Sequence, residues 1–179
     1  MLQRIEKVID RFSDVIGAIS AFLMVLMMLD VCYDAIARYF FRTGSIAMQE
    51  LEWHFFSVVF LFGMAYTLKE DGHVRVDVLY ERFPARVKAV INIAGTLLLL
   101  LPLSALIIEG SFDFVREAWE TGEISGDPGG LHYRWVIKSV IPVAFVFLLV
   151  SATGFVLHNI GIYLGREAPR KSSAKDELI

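Results

Sequence analysis

Between Trp53 and Leu68, sixteen consecutive residues carry no formal charge, while Glu50, Glu52, Lys69, Glu70 and Asp71 bracket them on either side. At about 1.5 Å per residue this makes roughly 24 Å of helix, close to the hydrocarbon thickness of a bilayer once an interfacial tryptophan extends one end. Three further runs share that character: 15–29, extendable toward Tyr39 past Asp30 and Asp34; 89–108, with Asn92, Thr96 and Ser104 as polar interruptions and Pro102 as an expected kink; and 139–157, with Pro142 near its start. Lipid offers no hydrogen-bond partners to exposed backbone, and none of the runs alternates as a strand does. The expected fold is an all-α membrane protein: four transmembrane helices with short interfacial or amphipathic connections. Approximate spans are 13–37, 52–69, 86–109 and 136–162 within one domain covering 1–179, with 163–179 expected to be a flexible tail.

A hydrophobic share of 56% fits this reading, because it exceeds the usual soluble proportion. The net charge of −3 excludes little, since the charges crowd into short segments between the runs. A single cysteine, Cys32, excludes an internal disulfide framework and any multi-cysteine zinc site; its apolar setting predicts a buried thiol. The N-terminal segment, the second connection and the tail hold twelve Lys and Arg residues, against five in the other two connections. The positive-inside rule therefore places both termini in the cytoplasm.

With that orientation Asp30, Asp34, Arg38, Glu50, Glu52 and Trp53 gather at the outer ends of the first two helices. Asp34 and Arg38 stand i, i+4 with the acid first, the favourable order for a helical ion pair. Ionisable groups in a membrane helix are functional candidates, yet most of this cluster can reach the interface; a network fixing helix pairing or binding a partner fits better than an ion relay. On the inner side, the connection carrying His73, Arg75 and Asp77 is greasy on one side and charged on the other. That suits an interfacial linker lying on lipid or against another subunit. Beyond the third span, Phe112, Val115 and Trp119 share a helical face, predicting an amphipathic extension ending near Thr121. Residues 122–130, GEISGDPGG, read as a loop, followed by an interfacial belt of Tyr133, Arg134 and Trp135.

Several ordered stretches are specific together: Arg38-Tyr39-Phe40, then 45–54 (SIAMQELEWH), 63–68 (GMAYTL), 71–77 (DGHVRVD) and 127–131 (DPGGL) with Arg134, Trp135 and Lys138. In order and spacing the chain resembles the small integral-membrane (DctQ-like) subunit of TRAP, tripartite ATP-independent periplasmic, transporters. His132 stands where that family commonly has proline. The resemblance implies a non-catalytic subunit of a secondary transporter in a bacterial or archaeal inner membrane, driven by a cation gradient and taking up an organic acid. Its implied partners are a large DctM-like membrane subunit, a periplasmic DctP-like solute-binding protein and membrane lipids, with no nucleic acid. It implies no catalytic, cofactor or metal residues in this chain, sodium being used through the large subunit. Asp34, Arg38, Glu50, Glu52, Trp53, His73, Arg75 and Asp77 become candidates for the subunit interface, with Gly63 and Ala65 allowing close helix contact. Trp119, Tyr133, Arg134 and Trp135 become candidates for contact with the binding protein.

Two other classes make different demands. A haem-binding electron-transfer subunit needs paired histidines at one depth, whereas His54 and His158 fall at opposite ends and His73 and His132 in connections. A self-sufficient exporter needs an acid near mid-membrane, for which Asp30 is the nearest candidate. Glu50 and His54, at i, i+4, make two potential metal ligands without a third.

Overall fold

The computed structural model describes residues 2–72, 80 and 82–167, with backbone alone for residues 2 and 3. All regular structure among them is helical: α1 (Leu2–Phe41), α2 (Ile46–Lys69), α3 (Ala85–Gly95), a π-helical segment (Thr96–Leu100), α4 (Leu101–Glu120) and α5 (Arg134–Tyr163). α3, the π segment and α4 run on as one helix of 36 residues, so four helices are long and apolar enough to cross a membrane.

Pro102 accounts for the irregularity in the third of these. It has no N–H to give the carbonyl four residues back, and its ring crowds that carbonyl. The expected kink takes the form of a wider register just before the proline, where the Leu101 N–H bonds to the Thr96 carbonyl five residues earlier. Pro142 is buried inside α5 and likewise deprives the Lys138 carbonyl of its usual donor. Pro84 lies just before α3, where its carbonyl accepts the N–H groups of Val87 and Lys88.

α5 is the hub, packing against α1, α2, α3 and α4, while α2 also lies antiparallel along α1. A third of its most apolar stretch is buried within the chain, against 17% or less for the other three. The buried positions include Ala144, Ser151, Ala152, Gly154 and Gly161, small residues that let backbones approach where apolar surface alone gives helices no reason to associate in lipid. At Gly154 an added Cβ would come within 2.7 Å of Ile9 Cγ2, and at Gly17 within 2.5 Å of the Tyr66 ring. Leu68, Leu148, Ala152 and Phe155 fill the centre, and Phe147 meets Phe12 and Phe62 with ring centroids 5.2 Å apart in each pair. Polar rungs cross the same interfaces. Ser13 and Ser151 hydroxyls lie 2.7 Å apart, the Asn92 amide donates to Asn159 Oδ1 at 2.9 Å, and the Tyr80 hydroxyl donates to Asn92 Oδ1 at 3.0 Å.

The α1–α2 turn and the α4–α5 connection lie at one end of the bundle, the loop end. The start of α1, the end of α2, the start of α3 and the end of α5 lie at the other, the terminal end, where Lys69 pairs with Asp14 and with Glu70. Cys32 is exposed, contrary to the expectation of a buried thiol. It lies two residues from each of the buried Asp30 and Asp34, about 200° around the helix from the face they share. Small residues also divide differently from expectation. Ala65 is fully buried by this chain's own helices, whereas a Cβ at Gly63 would touch nothing within 4 Å. Phe22, Met28, Phe60, Leu98 and Leu99 are all more than half exposed, an apolar exterior suited to lipid or a second subunit.

Gly154→Ala therefore overpacks the α1–α5 contact and should cost about 1–3 kcal/mol, whereas Gly63→Ala should be close to neutral. Thermal unfolding of the detergent-solubilised variants measures both; equal midpoints would show that the Ile9–Gly154 approach is not under constraint.

Candidate functional site

The loop end concentrates polar structure that the apolar helices cannot hold elsewhere. α4 stops at Glu120, with Thr121 as its cap, through Gly122 at φ +61°: the Gly122 N–H bonds to the Trp119 carbonyl at 3.2 Å and the Glu123 N–H to the Ala118 carbonyl at 3.0 Å. This paired 5→2 and 6→1 closure is the Schellman motif, for which glycine at the left-handed position carries no Cβ penalty. Four residues on, Asp127-Pro128-Gly129-Gly130 turns again, with the Gly130 N–H on the Asp127 carbonyl at 3.0 Å and Gly129 at φ +86°. Proline at the second position and a positive-φ glycine at the third are the requirements of a type II turn.

Into this loop reaches Glu50 from the first turns of α2. One carboxylate oxygen accepts the Ser125 hydroxyl, and the other accepts the Leu131 N–H at 2.6 Å. Ser125 and Leu131 are themselves joined, the Ser125 N–H bonding to the Leu131 carbonyl at 3.1 Å. Gly130 makes the entry possible, because an added Cβ would lie 2.5 Å from the Ser125 side chain and 2.8 Å from Glu50 Oε2. A carboxylate accepting from two donors makes charge-assisted bonds, stronger than neutral ones. Glu50 thereby fastens the α4–α5 connection to α2.

Glu123 makes the second tie. Its carboxylate pairs with Lys138 Nζ and lies 3.5 Å from Arg134 Nε, while its carbonyl accepts the Arg134 N–H at 3.2 Å. Lys138 also sits 3.9 Å from the centroid of Phe114, a cation–π contact between α5 and α4. Beside it, Trp119 and Trp135 pack edge to face with centroids 4.6 Å apart. Trp119 is 62% and Tyr133 71% exposed, so apolar area remains at the surface of a braced loop. Tyr133, just before α5, adopts φ +62°, a strained value for a bulky residue.

The candidates from sequence separate into two groups. Trp119, Tyr133, Arg134 and Trp135 come together around the α4–α5 connection. The extension of α4 has the expected end, but its buried side is Ser111 and Ala118, flanked by half-buried Val115, and Phe112 and Trp119 stay exposed. Among the α1–α2 candidates, Asp34 is buried and pairs with Arg38, and Glu50 serves the loop. No side-chain hydrogen bond or ion pair among the described residues joins the Asp34–Arg38 pair to Glu50, Glu52 or Trp53. Trp53 is 71% exposed, and Glu52 Oε1 and both carboxyl oxygens of Asp30 are buried with no hydrogen-bond partner among the described residues. His73, Arg75 and Asp77 lie outside the described residues, as does the tail from residue 168 onward. Ser125, Glu123 and Lys138 are the partners sequence reasoning missed; the DPGG turn was the available signal for where the chain doubles back, but nothing in the sequence pointed it at Glu50.

The histidines do not converge. His54 Nδ1 lies 2.5 Å from the Glu50 carbonyl of its own helix at the loop end, His132 is in the connection, and His158 is held by carboxylates at the terminal end. Among the described residues no pair of histidines could share a haem.

A family model described as "Tripartite ATP-independent periplasmic transporters, DctQ component" matches residues 27–160. Two relatives in Haemophilus influenzae strain Rd are each named a TRAP transporter small permease protein. One is 28% identical over 140 residues, which cover 76% of this chain and 86% of the relative. The other is 23% identical over 100 residues, covering 56% of this chain and 59% of the relative.

Replacing Glu50 by Ala removes both charge-assisted bonds that tie the connection to α2. Amide exchange at Leu131 and through 123–131 should accelerate at least roughly tenfold, while Glu120→Ala, which loses only an exposed helical pair with Arg116, should leave it unchanged. Unaltered exchange in the Glu50 variant would remove the carboxylate from this bracing role.

Proposed function

The chain belongs to the DctQ-component family of tripartite ATP-independent periplasmic transporters, a family of non-catalytic transport components, and from that premise we propose how it serves a transporter. It is the small membrane subunit that braces a large membrane subunit and presents a docking surface to a periplasmic solute-binding protein. The loop end faces the periplasm and both termini face the cytoplasm of a bacterial or archaeal inner membrane, in keeping with the twelve-to-five distribution of Lys and Arg. Uptake of an organic acid is driven by a cation gradient acting through the large subunit.

The observation that carries this reading is the braced loop. A connection that only had to join α4 to α5 needs no carboxylate latch from α2, no Glu123–Lys138 pair and no aromatic pair left half uncovered. Rigid loops with exposed aromatic area lower the entropy cost of docking and supply contact energy. Lateral contact with the large subunit falls to the exposed apolar sides of the helices, where van der Waals packing governs association. The Asp34–Arg38 pair and Trp53 lie where α1 and α2 meet the outer interface, within reach of the same partner.

Reconstitution in proteoliposomes with the large subunit and the binding protein tests the docking role. Replacing both Trp119 and Trp135 by Ala should lower uptake several-fold at limiting binding protein, with partial recovery at high binding-protein concentration and normal co-purification with the large subunit. Wild-type uptake at every binding-protein concentration would eliminate this surface as the docking site.

A further inference from the structure

A second polar centre lies at the opposite end of the bundle, built from segments far apart in sequence. His158, near the end of α5, is nine-tenths buried. Its Nδ1 is 2.8 Å from Glu6 Oε1 on α1 and 2.8 Å from Glu167 Oε2, beyond the end of α5. One ligand-type atom from each of the three lies within 4.8 Å of the others.

The chain is shaped to bring Glu167 there. α5 closes through a second Schellman motif: Gly165 at φ +71° gives its N–H to the Ile162 carbonyl at 3.0 Å, and Arg166 gives its own to the Gly161 carbonyl at 2.9 Å. The reversal lays Glu167 back along the last turn of the helix. It fits only because residue 161 is glycine, whose added Cβ would lie 2.7 Å from Glu167 Oε2.

Hydrogen bonding alone leaves this arrangement incomplete. Nδ1 carries at most one hydrogen, and that hydrogen serves Glu6 Oε1. Glu167 Oε2 is left buried, 2.8 Å from the same nitrogen, with no hydrogen donated to it. A second proton on the ring would sit on Nε2, on the far side, and would still give Glu167 nothing; Nε2, buried without a partner, carries the ring hydrogen equally when Nδ1 holds a metal. A cation held between Nδ1 and the two carboxylate oxygens satisfies all three atoms at once.

We propose that Glu6, His158 and Glu167 form a divalent metal site, with Zn²⁺ its best occupant, that pins the start of α1 to the end of α5. One imidazole nitrogen and two carboxylate oxygens are a donor set that zinc accepts at about 2.0–2.2 Å, with water as a fourth ligand. Tetrahedral geometry at that distance separates ligand atoms by roughly 3.4 Å, so the two 2.8 Å separations from Nδ1 need to widen by only about half an ångström. Hard ions such as Mg²⁺ and Ca²⁺ prefer sites with more oxygen ligands and no imidazole. The family match covers residues 27–160 and so includes His158 but neither Glu6 nor Glu167. The site stands independently of any transport role.

The test uses the full chain, purified in detergent and stripped with a chelator. Titration calorimetry should show about one equivalent of Zn²⁺ bound, and Co²⁺ in its place should give the intense visible absorption of a tetrahedral ion. Binding should also raise the thermal unfolding midpoint, since a ligand bound only by the folded state stabilises it. Glu167→Gln keeps the shape of the side chain and lies beyond the last helix, so it preserves the fold; it should weaken Zn²⁺ at least tenfold and abolish the Co²⁺ band. His158→Ala should do the same, and Cys32→Ser should change neither. Absence of saturable binding, or equal affinity in Glu167→Gln and the unmodified chain, overturns the site and leaves a hydrogen-bonded clamp.

Discussion

Backbone N–H and C=O groups inside a bilayer have no water to turn to, and this single constraint organises the molecule. It forces helices wherever the chain meets lipid, and it moves irregular backbone, charge and turn chemistry to the two ends. Even the exceptions obey it. At Pro102 the missing donor is absorbed by a shift to i, i−5 bonding within the helix rather than by a break. The hydroxyls of Ser13 and Ser20 turn back onto carbonyls of their own helix, and Thr96 does the same.

Since the hydrophobic effect gives apolar helices little reason to associate in lipid, α5 gathers the others by close approach and by sparse polar rungs. Glycines at 17 and 154, alanines at 65, 144 and 152, and the Ser13–Ser151 and Asn92–Asn159 contacts lie along these interfaces and along that of α1 with α2. The two ends then do different work. At the loop end, Glu50 and Glu123 turn a turn-rich connection into a braced surface carrying exposed aromatics. At the terminal end, Lys69 holds α1 to α2, while Glu6, His158 and Glu167 hold α1 to α5. Both ends use the same device, a glycine at the left-handed position closing a helix, Gly122 after α4 and Gly165 after α5.

Periodic and compositional signals gave the four helices, the end of α4 near residue 121, the 122–130 loop and the Asp34–Arg38 pair, because each is set by neighbours within a turn or two of sequence. Signals about facing were weaker. Cys32 sits in an apolar run and yet is exposed, since in a membrane helix apolar character no longer distinguishes inside from outside. Phe112 and Trp119 mark the larger face of α4, but the packed face is the small one, Ser111 and Ala118. Gly63 and Ala65 look alike in sequence; only the packing shows that one is open and the other sealed.

The sequence by itself determined that the chain is helical, crosses a membrane four times and has its charges at the ends, because these follow from the length and polarity of contiguous runs. Only the tertiary structure decided what each charge does there. Glu50 meets Ser125 and Leu131 across 75 and 81 residues, and Glu6 meets His158 across 152. Such pairings depend on which helix faces α5 and where a glycine turns the chain, and these choices are made by fit between surfaces rather than by any local pattern.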